Sequence, residues 1–269
     1  MATRQLSKTQ SFERNEIMDT GLKDKVVVVT GAGAGMGREI ATAFSREGAA
    51  VIVTDIDDAA GAETVAMIKA KGGWANYHHL DVSCKSEMQV CVDDIVRAQG
   101  RIDVMINNAG IVSICEIEDM SEDTWDRMQA VNVKSILFSL QAIVPVMRDQ
   151  GGGKIINLCS QLSKMAGSMP YAHYSASKAA AWNLTMAAAK RYASIPININ
   201  AVAPGSIAGT DFSREFNLST DPEEIGKAIP MRRRGEPADV APAVVFLASE
   251  GARYITGELI DINGGGLMD

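Results

Sequence analysis

Val26-Val27-Val28-Val29 runs without polar interruption into Thr30-Gly31-Ala32-Gly33-Ala34-Gly35-Met36-Gly37. Four consecutive β-branched residues leave no polar face for water. They predict a strand buried on both sides, as in the interior of a parallel sheet. The glycines that follow let the backbone turn tightly and approach a phosphate closely. The next segment, Arg38 to Glu47, has helical spacing with Ile40 and Phe44 on one face. Its N-terminus aims unpaired N–H groups and a positive dipole end at that turn, which predicts dinucleotide binding. The pattern is T-G-x-x-x-G-x-G over Gly31, Gly35 and Gly37. It is not G-x-G-x-x-G, which from Gly31 would need glycine at Met36.

The same alternation continues. Strands are predicted at Val51 to Thr54, Ala75 to Leu80, Ile102 to Ile106, Lys154 to Leu158, Ile197 to Val202 and Glu258 to Ile262. Helices are predicted at Asp58 to Lys71, Lys85 to Gln99, Thr124 to Arg148, Tyr171 to Tyr192 and Pro237 to Ala248. Strands alternating with helices imply an α/β fold with one doubly wound parallel sheet of Rossmann type and helices on both faces. No repeat or linker divides the chain. Residues 1–22 read as a mobile tail, and residues 23–269 as one catalytic domain.

Composition narrows the function. A hydrophobic share of 46% over 269 residues suffices for a large core. A net charge of −7 argues against a nucleic-acid partner. The one basic run, Arg232 to Arg234, reads as a solvated loop. No run of 18 apolar residues suggests a membrane span. The first 22 residues lack the features of a signal or transit peptide. Cys84, Cys91, Cys115 and Cys159 show no metal or C-x-x-C spacing, and the three histidines, His78, His79 and His173, show none either. No metal site is expected. Reduced thiols and a cytoplasmic location are.

Asp55 ends the second strand. A carboxylate there accepts from ribose hydroxyls and repels a 2′-phosphate, and position 34 is Ala rather than a base, so NAD is expected over NADP. Tyr174 and Lys178 stand four apart in a helical segment and share a face. An ammonium about 4 Å from a phenol supplies on the order of 4 kcal/mol at an effective dielectric near 20, enough to lower its pKa by about 2–3 units.

These motifs, with Asn107-Asn108-Ala109-Gly110, Asn132, Ser160 and Pro204-Gly205, resemble the short-chain dehydrogenase/reductase family in order and spacing from about Leu22 onward. The resemblance implies that Tyr174 exchanges a proton with the substrate oxygen and Ser160 hydrogen-bonds that oxygen. It implies that Lys178 binds the nicotinamide ribose and lowers the Tyr174 pKa, and that Asn132 holds a water linking Lys178 to solvent. It also implies cofactor contacts from Gly31, Gly35, Met36, Gly37, Asp55, Asp81, Val82, Asn108, Ala109, Gly110, Pro204, Gly205, Ile207 and Thr210. Ser160 lies 14 positions before Tyr174 against the family's usual 13, with Ser163 in reserve, and Thr210 comes one position late in the P-G-x-I-x-T pattern. His173 either borders the substrate or is an ordinary helix histidine. The expected activity is hydride transfer between NAD and a secondary alcohol or ketone, by a homotetramer or homodimer acting on a small molecule. The rival readings are an NADP-linked reductase of acyl thioesters and a catalytically silent dinucleotide-binding protein. Ser206 to Met231 is expected to form an amphipathic lid over the substrate.

Overall fold

A computed structural model describes residues 20–165, 169–210, 213 and 221–268. In chain order the elements are β1 Val26–Thr30, α1 Gly35–Arg46, β2 Ala50–Asp55, α2 Asp58–Ala70, β3 Trp74–His79, α3 Lys85–Gln99 and β4 Val104–Asn107. They continue with α4 Glu122–Gln129, α5 Ser135–Asp149, β5 Gly153–Leu158, α6 Ala172–Tyr192, β6 Ile197–Pro204, α7 Pro222–Ala228, α8 Pro237–Ala248 and β7 Leu259–Ile262.

The strands form one seven-stranded sheet in the order β3-β2-β1-β4-β5-β6-β7, and every neighbouring pair is parallel. All five residues of β1 are buried, as its unbroken valines require. Successive side chains go to opposite faces. Val27 and Val29 join Ile40 and Phe44 of α1, Val65 and Ile68 of α2 and Val244 of α8 on one side. Val26 and Val28 join Met88 and Ile95 of α3, Ile143 and Met147 of α5 and Ala181 of α6 on the other. The chain winds outward from β1 through β2 to β3, then returns to β4 on the other side. That reversal leaves a crevice beyond the carboxyl ends of β1 and β4.

Three local differences from the sequence reading have physical causes. Leu22, assigned above to the tail, is 2% exposed, and the Thr20 carbonyl accepts from Glu250 N at 3.1 Å, so the packed chain begins before residue 23. Residues 1–19 lie outside the described residues. The helix expected to run unbroken from Thr124 to Arg148 has a π-helical turn, Ala130–Lys134, between α4 and α5. The stretch Glu122–Asp149 is long and apolar enough to cross a membrane by length and composition. Ile136, Leu140, Ile143 and Met147 bury its inner face, which makes it a core helix. The third difference is β6, which runs to Pro204 rather than Val202 and carries Ala203 and Pro204 to the rim of the crevice.

Candidate active site

The crevice holds a cleft of about 650 Å³ lined by Gly31, Gly33 to Gly37, Asp55, Asp81, Val82, Asn108 to Ile111 and Thr210. Its floor is closest at two glycines. A Cβ on Gly37 would stand 2.1 Å from the Gly31 carbonyl oxygen, and one on Gly33 would stand 2.8 Å from Asp55 Oδ2. Real Cβ contacts do not close to those distances, so the turn lies flat and its backbone can approach a ligand. Gly31 and Gly35 have φ of +61° and +52°.

The turn is clamped from β4. Asn108 Nδ2 donates to the carbonyls of Thr30 and Gly31 at 2.8 and 3.0 Å, and Asn108 N and Ala109 N donate to Thr30 Oγ1 at 3.0 Å each. The Asn108 side chain therefore shapes the cleft from behind. Asp55 receives Gly33 N at 2.8 Å and Asp57 N at 3.0 Å, one on each oxygen. Arg38, the cation nearest in sequence to the turn, donates Nε to Gly33 O and Thr64 Oγ1 at 2.9 and 3.0 Å and pairs with Glu63 at 2.5 Å. It is committed to holding the loop. Thr210, one position late in sequence, still lines the cleft, where it would face a Cβ on Gly35 at 3.5 Å. Its hydroxyl donates to Ile207 O at 3.2 Å within its own turn.

At the far end of the cleft, Gly110 stands in front of two polar side chains. A Cβ there would lie 3.1 Å from Asn132 Oδ1 and 3.4 Å from Lys178 Nζ. The π turn brings Asn132 inward, 1% exposed, where it accepts from Ile111 N and donates to Ile111 O, both at 2.9 Å. It also donates to Ser177 Oγ at 3.0 Å. The Asn132 amide is thus committed to protein partners, and a water relay from this residue would have to use its backbone.

Lys178 Nζ donates to Leu158 O at 2.7 Å and stands 5.8 Å from the centre of the Tyr174 ring. Tyr174 is 5% exposed, with the Ser160 hydroxyl near enough to favour its phenolate. Burial pushes the Tyr174 phenol above its ordinary pKa, the Ser160 hydroxyl works against that, and Cys159 adds to it. Burial likewise pushes Lys178 down, and the neighbouring Cys159 raises it. Burial is thus the larger influence on the Tyr174 phenol. The ammonium is turned to a carbonyl.

Ser160 lies two residues past the end of β5 and caps the short 3-10 turn Gln161–Ser163, with Oγ accepting from Leu162 N at 3.2 Å. Ser163 turns away. It accepts from Ser160 N at 3.3 Å and hydrogen-bonds Cys159, whose thiol burial pushes up to about 11. The geometry thus joins Asn132, Ser160, Tyr174 and Lys178 in one cluster behind Gly110. Pro204 ends β6, and Gly205 and Ile207 follow it; none of the three lines the cleft. Residues 211, 212 and 214–220 of the expected lid lie outside the described residues.

Sequence reasoning missed Ser177, Asn157 and Thr185. Asn107 Nδ2 donates to Asn157 Oδ1, and Asn157 Nδ2 donates to Thr185 Oγ1, both at 2.8 Å, linking β4, β5 and α6 beneath the cluster. A buried polar residue inside an apolar strand, Asn157 between Ile156 and Leu158, was the available signal. His173 is fully buried and bonds Ser113, so it is neither exposed nor on the cleft. Among the described residues no group of His, Cys, Asp and Glu could hold a metal ion.

Residues 31–266 match a family described as enoyl-(acyl carrier protein) reductase. Cyclopentanol dehydrogenase of Comamonas testosteroni is 34% identical over 91% of this chain and 97% of its own length. The 3-oxoacyl-(acyl carrier protein) reductase FabG of Staphylococcus epidermidis is 39% identical over 91% of this chain and its full length. The crystal structure assigned to an NAD(P)-dependent gluconate 5-dehydrogenase of Beutenbergia cavernae, with NADP at low occupancy, superposes with a TM-score of 0.86 at 32% identity. It covers 91% of this chain and 97% of that one. With this fold, this glycine cradle and relatives matched along nearly their whole length, the chain belongs to the short-chain dehydrogenase/reductase family of NAD(P)-binding, Rossmann-fold oxidoreductases.

Proposed function

We propose that this oxidoreductase interconverts a secondary alcohol and a ketone and prefers NAD to NADP. The observation that carries the class of reaction is the buried Tyr174 beside Lys178, with Ser160 near enough to favour its phenolate, at the end of a cleft floored by the close-packed Gly33 and Gly37. The glycine-floored cleft fits a dinucleotide. Gly31, Gly35, Met36 and Gly37 would carry its pyrophosphate, Asp55 the adenosine ribose, and Asp81 and Val82 the adenine. Ala109, Gly110, Pro204, Gly205, Ile207 and Thr210 would flank the nicotinamide end, with Asn108 shaping the floor. The cofactor, when bound, supplies the hydride acceptor or donor.

The chain's own residues handle the proton. Tyr174 keeps its phenolic proton at neutral pH and gives it to the substrate oxygen during ketone reduction, or takes it back in the reverse direction. Ser160 hydrogen-bonds the same oxygen. Lys178 has donors beyond the one given to Leu158 O, and these would reach a ribose hydroxyl. Asn132 keeps Ile111 and Ser177 in place around that lysine.

Asp55 supports NAD. Its carboxylate is fixed by Gly33 N and Asp57 N beside the glycine turn, while Arg38 is drawn to Gly33 and Glu63. The 39% identity to FabG favours the second reading, an NADP-linked reductase of acyl thioesters. Steady-state assays over a panel of secondary alcohols, ketones and an acetoacetyl thioester, with each cofactor and followed by reduced-nicotinamide absorbance, separate the two. Preference for NADP with the thioester would replace our reading, and no turnover of any substrate would favour a silent binding protein. We further propose a cytoplasmic homo-oligomer, a tetramer or dimer. Trp125 and Leu137, 42% and 40% exposed on the long α4–α5 helix, support such packing.

A further inference from the structure

The segment leaving β4 is fastened at every second residue. Ile111, on the edge of the cofactor cleft, exchanges two backbone hydrogen bonds with the Asn132 amide. Ser113 Oγ lies 2.8 Å from His173 Nε2. Cys115 N donates to Pro170 O at 3.0 Å. The alternate residues Val112 and Ile114 are apolar, and Ile114 is 39% exposed. The three ties fix the backbone on either side of Val112 and Ile114, and with it where those two side chains stand. Two of those ties reach the chain just before Tyr174: Pro170, in the turn that leads into α6, and His173, its immediate neighbour.

His173 makes its tie at a cost. It is fully buried, and its Nδ1 has no hydrogen-bond partner among the described residues. A buried nitrogen left unsatisfied destabilises a fold, whereas an apolar side chain of similar volume would not. Burial also pushes the imidazole pKa down, and the N-terminal end of α6 further disfavours a cation. The ring is therefore neutral and serves through one nitrogen, Nε2. Ordinary packing does not require that nitrogen, and Ser113 is its one partner among the described residues.

We infer that His173 is a positioning residue: through Ser113 it holds segment 111–115 against the start of α6 and so sets the apolar wall that the substrate meets beside Tyr174. This rests on the alcohol–ketone reading above.

Ser113→Ala, His173→Gln and His173→Asn test it on the full chain. Gln places a polar atom where Nε2 lies, and Asn reaches only the Nδ1 position. Ser113→Ala and His173→Asn should raise KM for the ketone or alcohol about five- to tenfold, the scale of one hydrogen bond, with NADH affinity unchanged. His173→Gln should restore KM to within about twofold of the parent. Hydrogen exchange in segment 111–115 should quicken in Ser113→Ala alone and in His173→Asn, and not in His173→Gln. A lower Tm with unchanged KM, or Gln and Asn behaving alike, assigns His173 to packing and overturns the inference. If the parent turns over no alcohol or ketone, the functional reading fails instead. Unchanged exchange at 111–115 in Ser113→Ala then overturns the tether separately.

Discussion

Tyr174 and Lys178 share a place where both charged forms are penalised, the phenolate and the ammonium alike. A raised phenol pKa keeps the proton on Tyr174 through neutral pH. The sign follows directly: reduction needs the protonated form, and oxidation needs the proton removed. kcat/KM for ketone reduction should stay flat from about pH 6 to pH 9, while kcat/KM for alcohol oxidation climbs over the same range. A reduction limb that collapses with an apparent pKa near 7 would show that the bound state, unlike this one, depresses the phenol. Tyr174→Phe should cut kcat by about 10²-fold or more and leave NADH binding, read by fluorescence titration, within twofold. Ser160→Ala should cost far more activity than Ser163→Ala, because the Ser160 hydroxyl favours the Tyr174 phenolate while Ser163 serves Cys159 and the Ser160 backbone. The reverse order in parallel assays would move the proton-site hydroxyl to Ser163. Ser160 was legible from its place just past a strand end despite the shifted spacing. The upward sign at Tyr174 was not, because i,i+4 spacing states proximity while the desolvation that outweighs it depends on what covers the ring.

At the scale of elements, β1, the glycine turn and α1 behave as one unit held by close contacts at Gly33 and Gly37. The hypothetical Gly37 Cβ meets backbone, the Gly31 carbonyl, and a backbone atom cannot swing aside as a side chain does. A Gly33 Cβ meets side chains instead, Ala60 Cβ and Asp55 Oδ2 at 2.8 Å each, of which the Asp55 end can swing away. Gly37→Ala should therefore abolish cofactor binding and lower Tm, whereas Gly33→Ala should fold and weaken binding by displacing the carboxylate. Calorimetric titration with NAD and a thermal melt on each variant check this, and equal binding by both would refute the cradle. The alternation of strands and helices was readable because an unbroken apolar run and a 3.6-residue repeat are local patterns. The π turn at Ala130–Lys134 was not. It depends on Asn132 reaching Ile111 and Ser177, neighbours that only the folded chain supplies.

The whole molecule has two ends, and each carries a cleft of about 650 Å³. One lies at the carboxyl ends of the strands, over the glycine turn. The other lies at their amino ends and is lined by Lys25, Arg101, Asp103, Gln150, Lys154 and Arg253, among others. Volume does not separate them, but the origin of their linings does. At the carboxyl ends, each strand releases its chain into a loop that varies freely, so unlike chemical groups can converge there. At the amino ends, the side chains are occupied with starting strands. Asp103 accepts from Val26 N at 2.9 Å, and Arg101 donates to its carboxylate at 2.9 and 3.0 Å through Nε. Lys154 Nζ donates to Asn198 Oδ1 at 2.7 Å across β5 and β6. The crevice position was legible once strands were assigned in order, since a doubly wound sheet places its reversal beside β1. What filled the opposite end was not, because Lys25, Arg101 and Asp103 look like scattered surface charges in the chain. Asp103→Ala should therefore separate stability from catalysis. It leaves the Val26 N–H buried without its acceptor and removes a charge-assisted bond, a loss of about 2–3 kcal/mol. Lys25 and Arg101 are 38% and 48% exposed, so water takes over most of their share. Tm should fall by several degrees while kcat and both KM values stay within about twofold of the parent. A large fall in kcat at unchanged Tm would mean that the amino-terminal end communicates with Tyr174, and that the two ends of this sheet are not independent.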